Sequence, residues 1–212
     1  MAHYPIEHND TPIRLFKSDF LEFFSHISPV TIVVIWMPVV VFFLVQAYWV
    51  RPAFISAWYI LPGYVLGLFI WTLAEYLLHR FIFHFKARNP WQERVIFLFH
   101  GVHHAQPQCK TRLVMPPVVS IPLALVLYGL FYLVIGMLMQ DVHWVAPIFA
   151  GMITGYIIYD LTHYATHHFP MRSKVLKFLK RYHMQHHYKT PNMRFGVSSP
   201  LWDIVFKTKP AE

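Results

Sequence analysis

The sequence predicts an all-α integral membrane protein: four transmembrane helices in two hairpins, with a cytoplasmic helical cap that is rich in histidine. Of the 212 residues, 56% are hydrophobic and 13% are charged, a balance that is unusual for a soluble domain. Four stretches are apolar and close to the roughly 20 residues that a helix needs to cross a bilayer. Basic residues are almost confined to the segments on one side of these stretches.

The chain before the first span divides into an arm and a surface segment. We expect residues 1–13 to form a flexible arm and residues 14–212 to form one membrane domain. Within that domain, residues 14–27 place apolar side chains broadly on one side, which predicts a helix lying along the membrane surface. Because residues 3–10 are polar and acidic, no cleavable signal peptide is expected.

The four predicted spans lie at about residues 30–49, 57–78, 118–139 and 144–161. The third apolar run is over-long and contains Pro116, Pro117 and Pro122, which are tolerated at the start of a helix rather than in its middle. Small residues allow membrane helices to approach closely. The last two spans contain four of them: Gly129, Gly136, Gly151 and Gly155.

The distribution of basic residues predicts the orientation. Of 18 Lys and Arg residues, only Arg51 lies between the first two spans, and none lies in the 140–143 link. By the positive-inside rule, both termini and a cap made of residues 79–112 and 162–212 face the cytoplasm. The net charge of +8 follows from this bias and from attraction to anionic headgroups.

Two classes of partner or linkage are not expected. The aromatic residues lie in apolar runs rather than among Lys and Arg on a polar face, which argues against a nucleic-acid partner. The single cysteine, Cys109, excludes an internal disulfide and fits a reducing compartment.

Histidines are concentrated in four clusters, two of which share the motif H-x-x-H-H. The motif occurs at residues 100–104 and again at 183–187. In a helix, positions i, i+3 and i+4 fall within an arc of roughly 100°, so one face presents all three imidazoles. This repeated pattern indicates a metal site.

A second pair of histidine clusters precedes the two motifs. His79 and His84 are five residues apart and therefore point about 140° away from each other on an ideal helix, so they point the same way only if the helix is broken. Otherwise they serve different metals. In the other cluster His163 and His167 lie on one stripe, whereas His168 points about 140° away from His163. His163 and His167 are therefore the better ligand candidates, although the angle alone is not decisive because the same angle separates His79 and His84.

Two acids are candidates for supporting roles. Glu75 lies one turn before His79 near the predicted membrane boundary, where an unpaired acid is costly. It is predicted to bond to a ligand histidine, or alternatively to a basic residue. Asp203 either orients a histidine or caps a turn after Pro200.

The number of imidazoles predicts two metal ions. Ten or eleven exceed the six positions of one octahedral ion, and catalysis needs an open position. Two ions with about five histidines each fit better. An imidazole shell adds no negative charge and suits oxygen activation at iron, although zinc also binds such sites readily.

Two other functions compete with that of an oxygen-activating enzyme. A metal transporter would carry ionisable residues along its spans, and a membrane b-type haem protein would carry paired histidines on facing spans. The predicted span interiors are nearly free of such residues, apart from Glu75 and Asp160 near the cytoplasmic ends.

The histidine segments HRFIFH, HGVHH, HYATHH and HMQHH resemble the signature of the membrane fatty acid hydroxylase superfamily, which includes sterol desaturases. Residues 112–117 (RLVMPP) and 195–206 (FGVSSPLWDIVF) are similar to the fatty acid 2-hydroxylase branch. The resemblance implies a dinuclear metal site and hydroxylation of carbon 2 of long-chain fatty acids or sphingolipid N-acyl chains, with dioxygen and two electrons. The alternative is a member that acts on a sterol or another lipid.

The resemblance also implies roles for individual residues. Tyr156, Tyr159 and Asp160 match residues that line the site and position the carboxyl end of the acyl group. His168 matches a histidine that is usually not a ligand. The implied metal ligands are His79, His84, His100, His103, His104, His163, His167, His183, His186 and His187.

One departure from the family concerns the electron donor. Fungal and animal members carry an N-terminal b-type cytochrome domain, whereas this chain starts almost at the membrane domain. A separate b-type cytochrome or ferredoxin-like donor is therefore expected, in a bacterial inner membrane or the endoplasmic reticulum. The basic residues that would dock it, or would instead contact lipid headgroups, are Lys174, Lys177, Lys180 and Arg181.

Overall fold

The structure, a computed structural model, describes residues 6–7 and 11–210, and within these residues every regular element is a helix. The α-helices are α1 (Asp19–Phe23), α2 (Pro29–Val50), α3 (Ile60–Leu78), α4 (Pro90–Ile96), α5 (Val102–Ala105), α6 (Pro117–Phe131), α7 (Val145–His168), α8 (Lys174–Tyr188) and α9 (Leu201–Val205). Turns of π-helix at His79–Phe83, Phe97–Gly101 and Tyr132–Leu138 extend α3, α4 and α6. The predicted fold class is confirmed.

Four helices, counted with the turns that extend them, are long and apolar enough to cross a membrane. They are Pro29–Val50, Ala57–Phe83, Pro117–Leu138 and Val142–His168. Only 11–22% of the apolar window is buried in the first three, against 72% in the fourth. Apolar side chains such as Val34, Phe42 and Leu125 are thus largely exposed, a surface that requires an apolar solvent. The protein is a multi-pass membrane protein.

The described residues form two compact units. The first, which we call the histidine unit, comprises the described residues of Met1–Pro29, Thr72–Met115 and Tyr159–Glu212. The second, the apolar unit, comprises Val30–Trp71 and Pro116–Ile158. Because α3 and α7 run through both, each joins an apolar, membrane-length stretch to histidines on one continuous helix.

Glycines allow close backbone approach between α3 and α7 in the apolar unit. A Cβ added at Gly151 would lie 2.0 Å from the Tyr64 carbonyl oxygen, and one at Gly67 would lie 1.9 Å from that of Ile148. At Gly155 the added Cβ would lie 2.5 Å from the Cβ of Trp71. These contacts confirm the expectation for Gly151 and Gly155.

The same expectation was wrong for two other glycines, and it omitted two. A Cβ built at Gly129 meets no atom from elsewhere in the described residues within 4 Å, and one built at Gly136 meets only ordinary contacts at 3.6 Å. Gly63, whose added Cβ would lie 2.9 Å from the Pro147 side chain, and Gly67 were not predicted because the expectation covered only the last two spans. Which face of a membrane helix packs against a neighbour is set by tertiary contacts.

The predicted surface helix over residues 14–27 is limited to α1. The Glu22 carboxylate accepts hydrogen bonds from the N–H groups of Leu15 and Phe16, both at 2.9 Å, and these bonds turn the chain before the helix. The same carboxylate is paired with Arg112. Burial raises the pKa of Glu22, but the two backbone bonds and the Arg112 charge hold it below its usual value.

The described part of the predicted arm is bound to the segment that follows the first histidine motif. The buried side chain of Gln106 accepts the Ile13 N–H through Oε1 and donates to the Thr11 carbonyl through Nε2, both at 2.8 Å. The Glu7 N–H donates to the Ala105 carbonyl at 2.8 Å. Residues 1–5 and 8–10 of the predicted arm lie outside the described residues.

The glycine contacts predict unequal effects of two alanine substitutions. Gly67→Ala forces a methyl group against a backbone carbonyl and should cost roughly 1–3 kcal/mol of stability. Gly129→Ala, which meets open space, should change stability by no more than about 1 kcal/mol. Thermal unfolding of both variants in one detergent measures the difference. Equal midpoints would contradict the packing of α3 against α7.

Candidate metal centre

The first H-x-x-H-H motif ends a continuous helical segment from Pro90 to Ala105. The Asn89 side chain caps the start by accepting the Gln92 N–H at 2.9 Å, and Pro90 occupies the first turn. Both are favoured at a helix start because the first N–H groups have no helical partner. The cap fixes the register in which the motif meets the rest of the histidine unit.

His79 and His84 are joined by a π turn. The His84 N–H donates to the His79 carbonyl five residues earlier, at 3.0 Å, which is the bond that defines a π-helix. The wider turn brings residues five apart onto one side of the helix, and the two ring centroids lie 4.8 Å apart. The expected conflict of direction is therefore resolved by widening the helix rather than by breaking it.

The second motif lies on the buried face of α8. Ser173 caps this helix by accepting the Leu176 N–H at 3.2 Å. The buried residues of α8 are Leu179, Tyr182, His183, His186 and His187. On α7, His163 and His167 are also buried, while the His168 ring packs against Tyr164 at a centroid distance of 4.6 Å. His168 does not belong to either group of clustered histidines, as expected.

The ten predicted ligands form two groups, each with its ligand atoms within 4.8 Å of one another. Group one contains His79, His84, His100, His104 and His186. Group two contains His103, His163, His167, His183 and His187. The expected division into two sets of five is present, and each set can hold a metal ion.

Each motif supplies both groups. His100 and His104, at i and i+4, belong to group one, whereas His103 belongs to group two. In the second motif, His183 and His187 belong to group two and His186 to group one. The i and i+4 side chains lie about 40° apart on a helix, while neighbouring residues lie about 100° apart. In each motif the second histidine, His103 or His186, therefore belongs to the group that contains the other two histidines of the opposite motif.

The spacing of the nitrogens fits five or six ligands around a metal. At a metal–nitrogen distance of about 2.1 Å, ligands at right angles lie about 3.0 Å apart, and tetrahedral ligands about 3.4 Å apart. In group one the His79–His100, His100–His104 and His84–His186 Nε2 atoms are 3.0, 3.1 and 3.2 Å apart. In group two the His103–His163, His103–His187, His167–His183 and His183–His187 distances are 2.9, 3.0, 2.9 and 3.0 Å.

Electrostatics keep the imidazoles neutral. Six ligand candidates outside the membrane-length helices have a pKa well below the usual value for histidine. The main cause is burial, and the second is repulsion between neighbouring imidazoles. The six are His84, His100, His103, His104, His183 and His187. Burial lowers the pKa of His186 to about 4. At neutral pH the nitrogen lone pairs are available to a metal.

Backbone carbonyls of the C-terminal segment orient two histidines of group one. The Nδ1 of His79 contacts the Phe195 carbonyl oxygen at 2.5 Å, and the Nδ1 of His186 contacts that of Met193 at 2.7 Å. These partners could not be predicted from residue types, because every residue carries a backbone carbonyl. The only signal in the sequence was the family-like segment at 195–206.

Two buried acids bind this segment rather than a histidine. Glu75 accepts the N–H groups of Val197 and Ser198 at 2.6 and 2.8 Å and also bonds to the Ser198 hydroxyl. Its predicted direct bond to a ligand histidine is not formed in the described structure. Asp203, at the start of α9, likewise accepts backbone N–H groups, so it acts on the histidines only through the chain that it holds.

The three residues implied to contact substrate lie along α7. Tyr156 packs edge-on against Trp36 and Trp71, with centroids 5.6 and 5.4 Å away. Tyr159 stacks on His163 at 5.8 Å, and Asp160 accepts the Met115 N–H at 3.2 Å. All three are buried. Of these, Tyr159 directly adjoins a histidine of group two.

A cavity of about 520 Å³ opens onto both groups from within the histidine unit. Its walls include His84, His100 and His104 of group one and His187 of group two, together with Phe83. The imidazoles are thus buried among protein groups but remain accessible to a small molecule.

The fatty acid hydroxylase family model matches residues 64–208, which include all ten clustered histidines. The chain belongs to the fatty acid hydroxylase family. This confirms the family suggested by the histidine segments, and the protein is an enzyme of that family.

Several curated proteins and one solved structure are similar to the chain. A dihydroceramide fatty acyl 2-hydroxylase of Arabidopsis thaliana is 38% identical over 99% of this chain and 84% of its own length. Human fatty acid 2-hydroxylase is 36% identical over 100% of this chain and 59% of its own. A solved structure of full-length Scs7p, with only the hydroxylase domain visible, has a TM-score of 0.82 at 35% identity, covering 91% of this chain and 70% of that one.

The placement of adjacent histidines predicts a contrast in metal content. His167→Ala removes a donor from group two and should lower the metal bound per chain, because one of five nitrogens is lost. His168→Ala, which alters a ring outside both groups, should leave it unchanged. Elemental analysis of the purified variants gives the comparison. Equal metal loss in both would show that the two groups are wrongly assigned.

Proposed function

We propose that the protein is a membrane oxygenase that hydroxylates carbon 2 of long-chain fatty acids or of sphingolipid N-acyl chains. The observation that carries the proposal is the pair of buried five-histidine groups. It is supported by relatives named fatty acid or dihydroceramide 2-hydroxylases, which align with nearly the whole chain. One atom of dioxygen enters the carbon–hydrogen bond and the other leaves as water, with two electrons and two protons consumed.

The ten clustered histidines are the proposed metal ligands. Neutral imidazoles suit iron and zinc alike, and we expect iron for activity, with zinc as an alternative occupant of the purified protein. Two bound ions would supply the activation of dioxygen. The chain contributes fixed ligand directions through its helices and keeps the ligand nitrogens unprotonated through burial.

Tyr156, Tyr159 and Asp160 are proposed to position the carboxyl end of the acyl group. Their burial along α7, on the helix that also carries His163 and His167, supports this role. A tyrosine hydroxyl can donate a hydrogen bond to an acyl carbonyl, and carbon 2 is the atom next to that carbonyl. Holding the carbonyl would therefore select the position that is hydroxylated.

The site is proposed to face the cytoplasm of a bacterial cell or the cytoplasmic side of the endoplasmic reticulum. The excess of basic residues in the segments around the histidines supports this orientation. Electrons would come from a separate b-type cytochrome or ferredoxin-like donor. Lys174, Lys177 and Arg181 of α8 are exposed and are available to an acidic partner, whereas Lys180 donates to the Phe169 carbonyl at 3.0 Å.

Mass spectrometry of lipids tests the function directly. Cells that express the chain should accumulate fatty acids or sphingolipids with one added oxygen next to the acyl carbonyl. His186→Ala should reduce this product to background, because it removes a proposed ligand, while His143→Ala should not reduce it. Product in the His186→Ala cells at the unsubstituted level would refute the site, and oxygen added only to sterols would indicate a different substrate.

Asp160→Asn separates a role toward substrate from a role toward metal. Because Asp160 belongs to neither histidine group, the variant should retain its metal but turn over lipid at least several-fold more slowly. Metal content and hydroxylation rate are measured on the same preparation. Loss of both metal ions would instead make Asp160 a structural or coordinating residue.

A further inference from the structure

The segment from Met193 to Asp203 presents two backbone carbonyls to group one. Met193 and Phe195 accept from the Nδ1 atoms of His186 and His79, as described above. The Phe195 ring also lies against three imidazoles of this group, with centroids 5.7, 5.7 and 5.9 Å from those of His79, His84 and His186. One short segment thus contacts most of group one.

A carbonyl at Nδ1 decides how an imidazole can bind a metal. It accepts a hydrogen bond from the Nδ1–H group, which fixes the neutral tautomer with the proton on Nδ1 and leaves the lone pair on Nε2. The Nε2 atoms of His79 and His186 are the ones that face the other histidines, 3.0 Å from His100 and 3.2 Å from His84. The carbonyls therefore hold both rings in the tautomer and direction that ligation requires.

Asp203 fixes the position of the Phe195 carbonyl. Its Oδ1 accepts the Phe195 N–H at 2.9 Å and the Thr208 hydroxyl at 2.7 Å, and its Oδ2 accepts the Gly196 N–H at 2.8 Å. Asp203 is fully buried. The loop closes so tightly that a Cβ at Gly196 would lie 2.0 Å from the Ser199 carbonyl oxygen, which explains the glycine. The carboxylate holds the two peptide groups on either side of the Phe195 α-carbon, and the second of these contains the Phe195 carbonyl.

Four of the five histidines of group two lack equivalent support within the described residues. The Nδ1 atoms of four of its members are buried without a hydrogen-bonding partner there: His103, His163, His167 and His183. The two groups share helices and motifs, yet only group one is oriented by the C-terminal segment. A disturbance of that segment should therefore act on one group selectively.

We propose that Asp203 is a positioning residue for group one: through the Phe195 peptide it holds His79 in the ligating orientation, so that its loss weakens one metal site of the two. The inference rests on the proposed function, in which both groups bind metal. A purely structural role would instead destabilise the histidine unit as a whole and weaken both sites together.

The experiment measures zinc affinity site by site. Asp203→Asn keeps one acceptor oxygen but replaces the other with an NH₂ group, which cannot accept a hydrogen bond from a backbone N–H. One of the two bonds to the Phe195 and Gly196 N–H groups is therefore lost. Purified chains are loaded with zinc and equilibrated with a chelator over a range of concentrations, and the zinc retained per chain is counted. Asp203→Asn should weaken one site roughly 10- to 100-fold, the usual effect of losing an outer partner of a ligand, and leave the other unchanged.

Ligand variants identify which site has changed. In His183→Ala, which damages group two, Asp203→Asn should remove most of the remaining tight zinc. In His186→Ala, which damages group one, Asp203→Asn should add little, because both changes affect the same site. Asp141→Asn, at an exposed position in the apolar unit, is the matched control and should behave as the unsubstituted chain.

The outcomes separate this inference from the proposed function. Failure of the unsubstituted chain to bind zinc or iron would overturn the metal centre itself. Two intact sites in Asp203→Asn, or equal weakening of both, would overturn only the role of Asp203. If Asp203→Asn fails to fold by circular dichroism, Thr208→Val decides the matter, since it removes one bond to the carboxylate and should weaken group one alone by a smaller factor.

Discussion

The histidine unit depends on the packing of the two H-x-x-H-H motifs against each other, in which each motif contributes one histidine to the group formed mainly by the other. Neither motif completes a five-imidazole group alone, because His103 serves group two and His186 serves group one. Each group therefore forms only when the helices that carry both motifs are packed together. Metal binding to such groups is coupled to folding, since the unfolded chain cannot assemble either of them.

Burying ten imidazoles in contact has an electrostatic cost that determines their protonation. The same burial and mutual repulsion that lower their pKa also make them good neutral ligands. A cation would relieve the repulsion between lone pairs held 2.9–3.2 Å apart. The arrangement thus favours neutral imidazoles, which are the form that can bind a metal ion.

Continuous helices give the histidines their fixed positions. The π turn that extends α3 leads directly to His79 and His84, and α7 carries His163 and His167, so no loop precedes these ligand candidates. The π turn at His79–Phe83 changes the direction of His84 without interrupting the helix, in line with the frequent use of such turns at functional sites.

The sequence by itself predicted the helical membrane class, the clustering of the histidines and a number of imidazoles that suits two ions. These features are local, because hydropathy, helical spacing and residue counts carry them. Helical spacing did not settle the exclusion of His168, since the same angle of about 140° separates His79 and His84, which share a group. Tertiary structure alone decided that His79 and His84 share a group, that the motifs exchange histidines, that Gly67 rather than Gly129 lies at a helix contact, and that backbone carbonyls orient His79 and His186. These features cannot be predicted from residue types, because they arise only when distant segments pack. They are a widened helical turn, the choice of helix face that meets a neighbour, and a backbone carbonyl that any residue can supply.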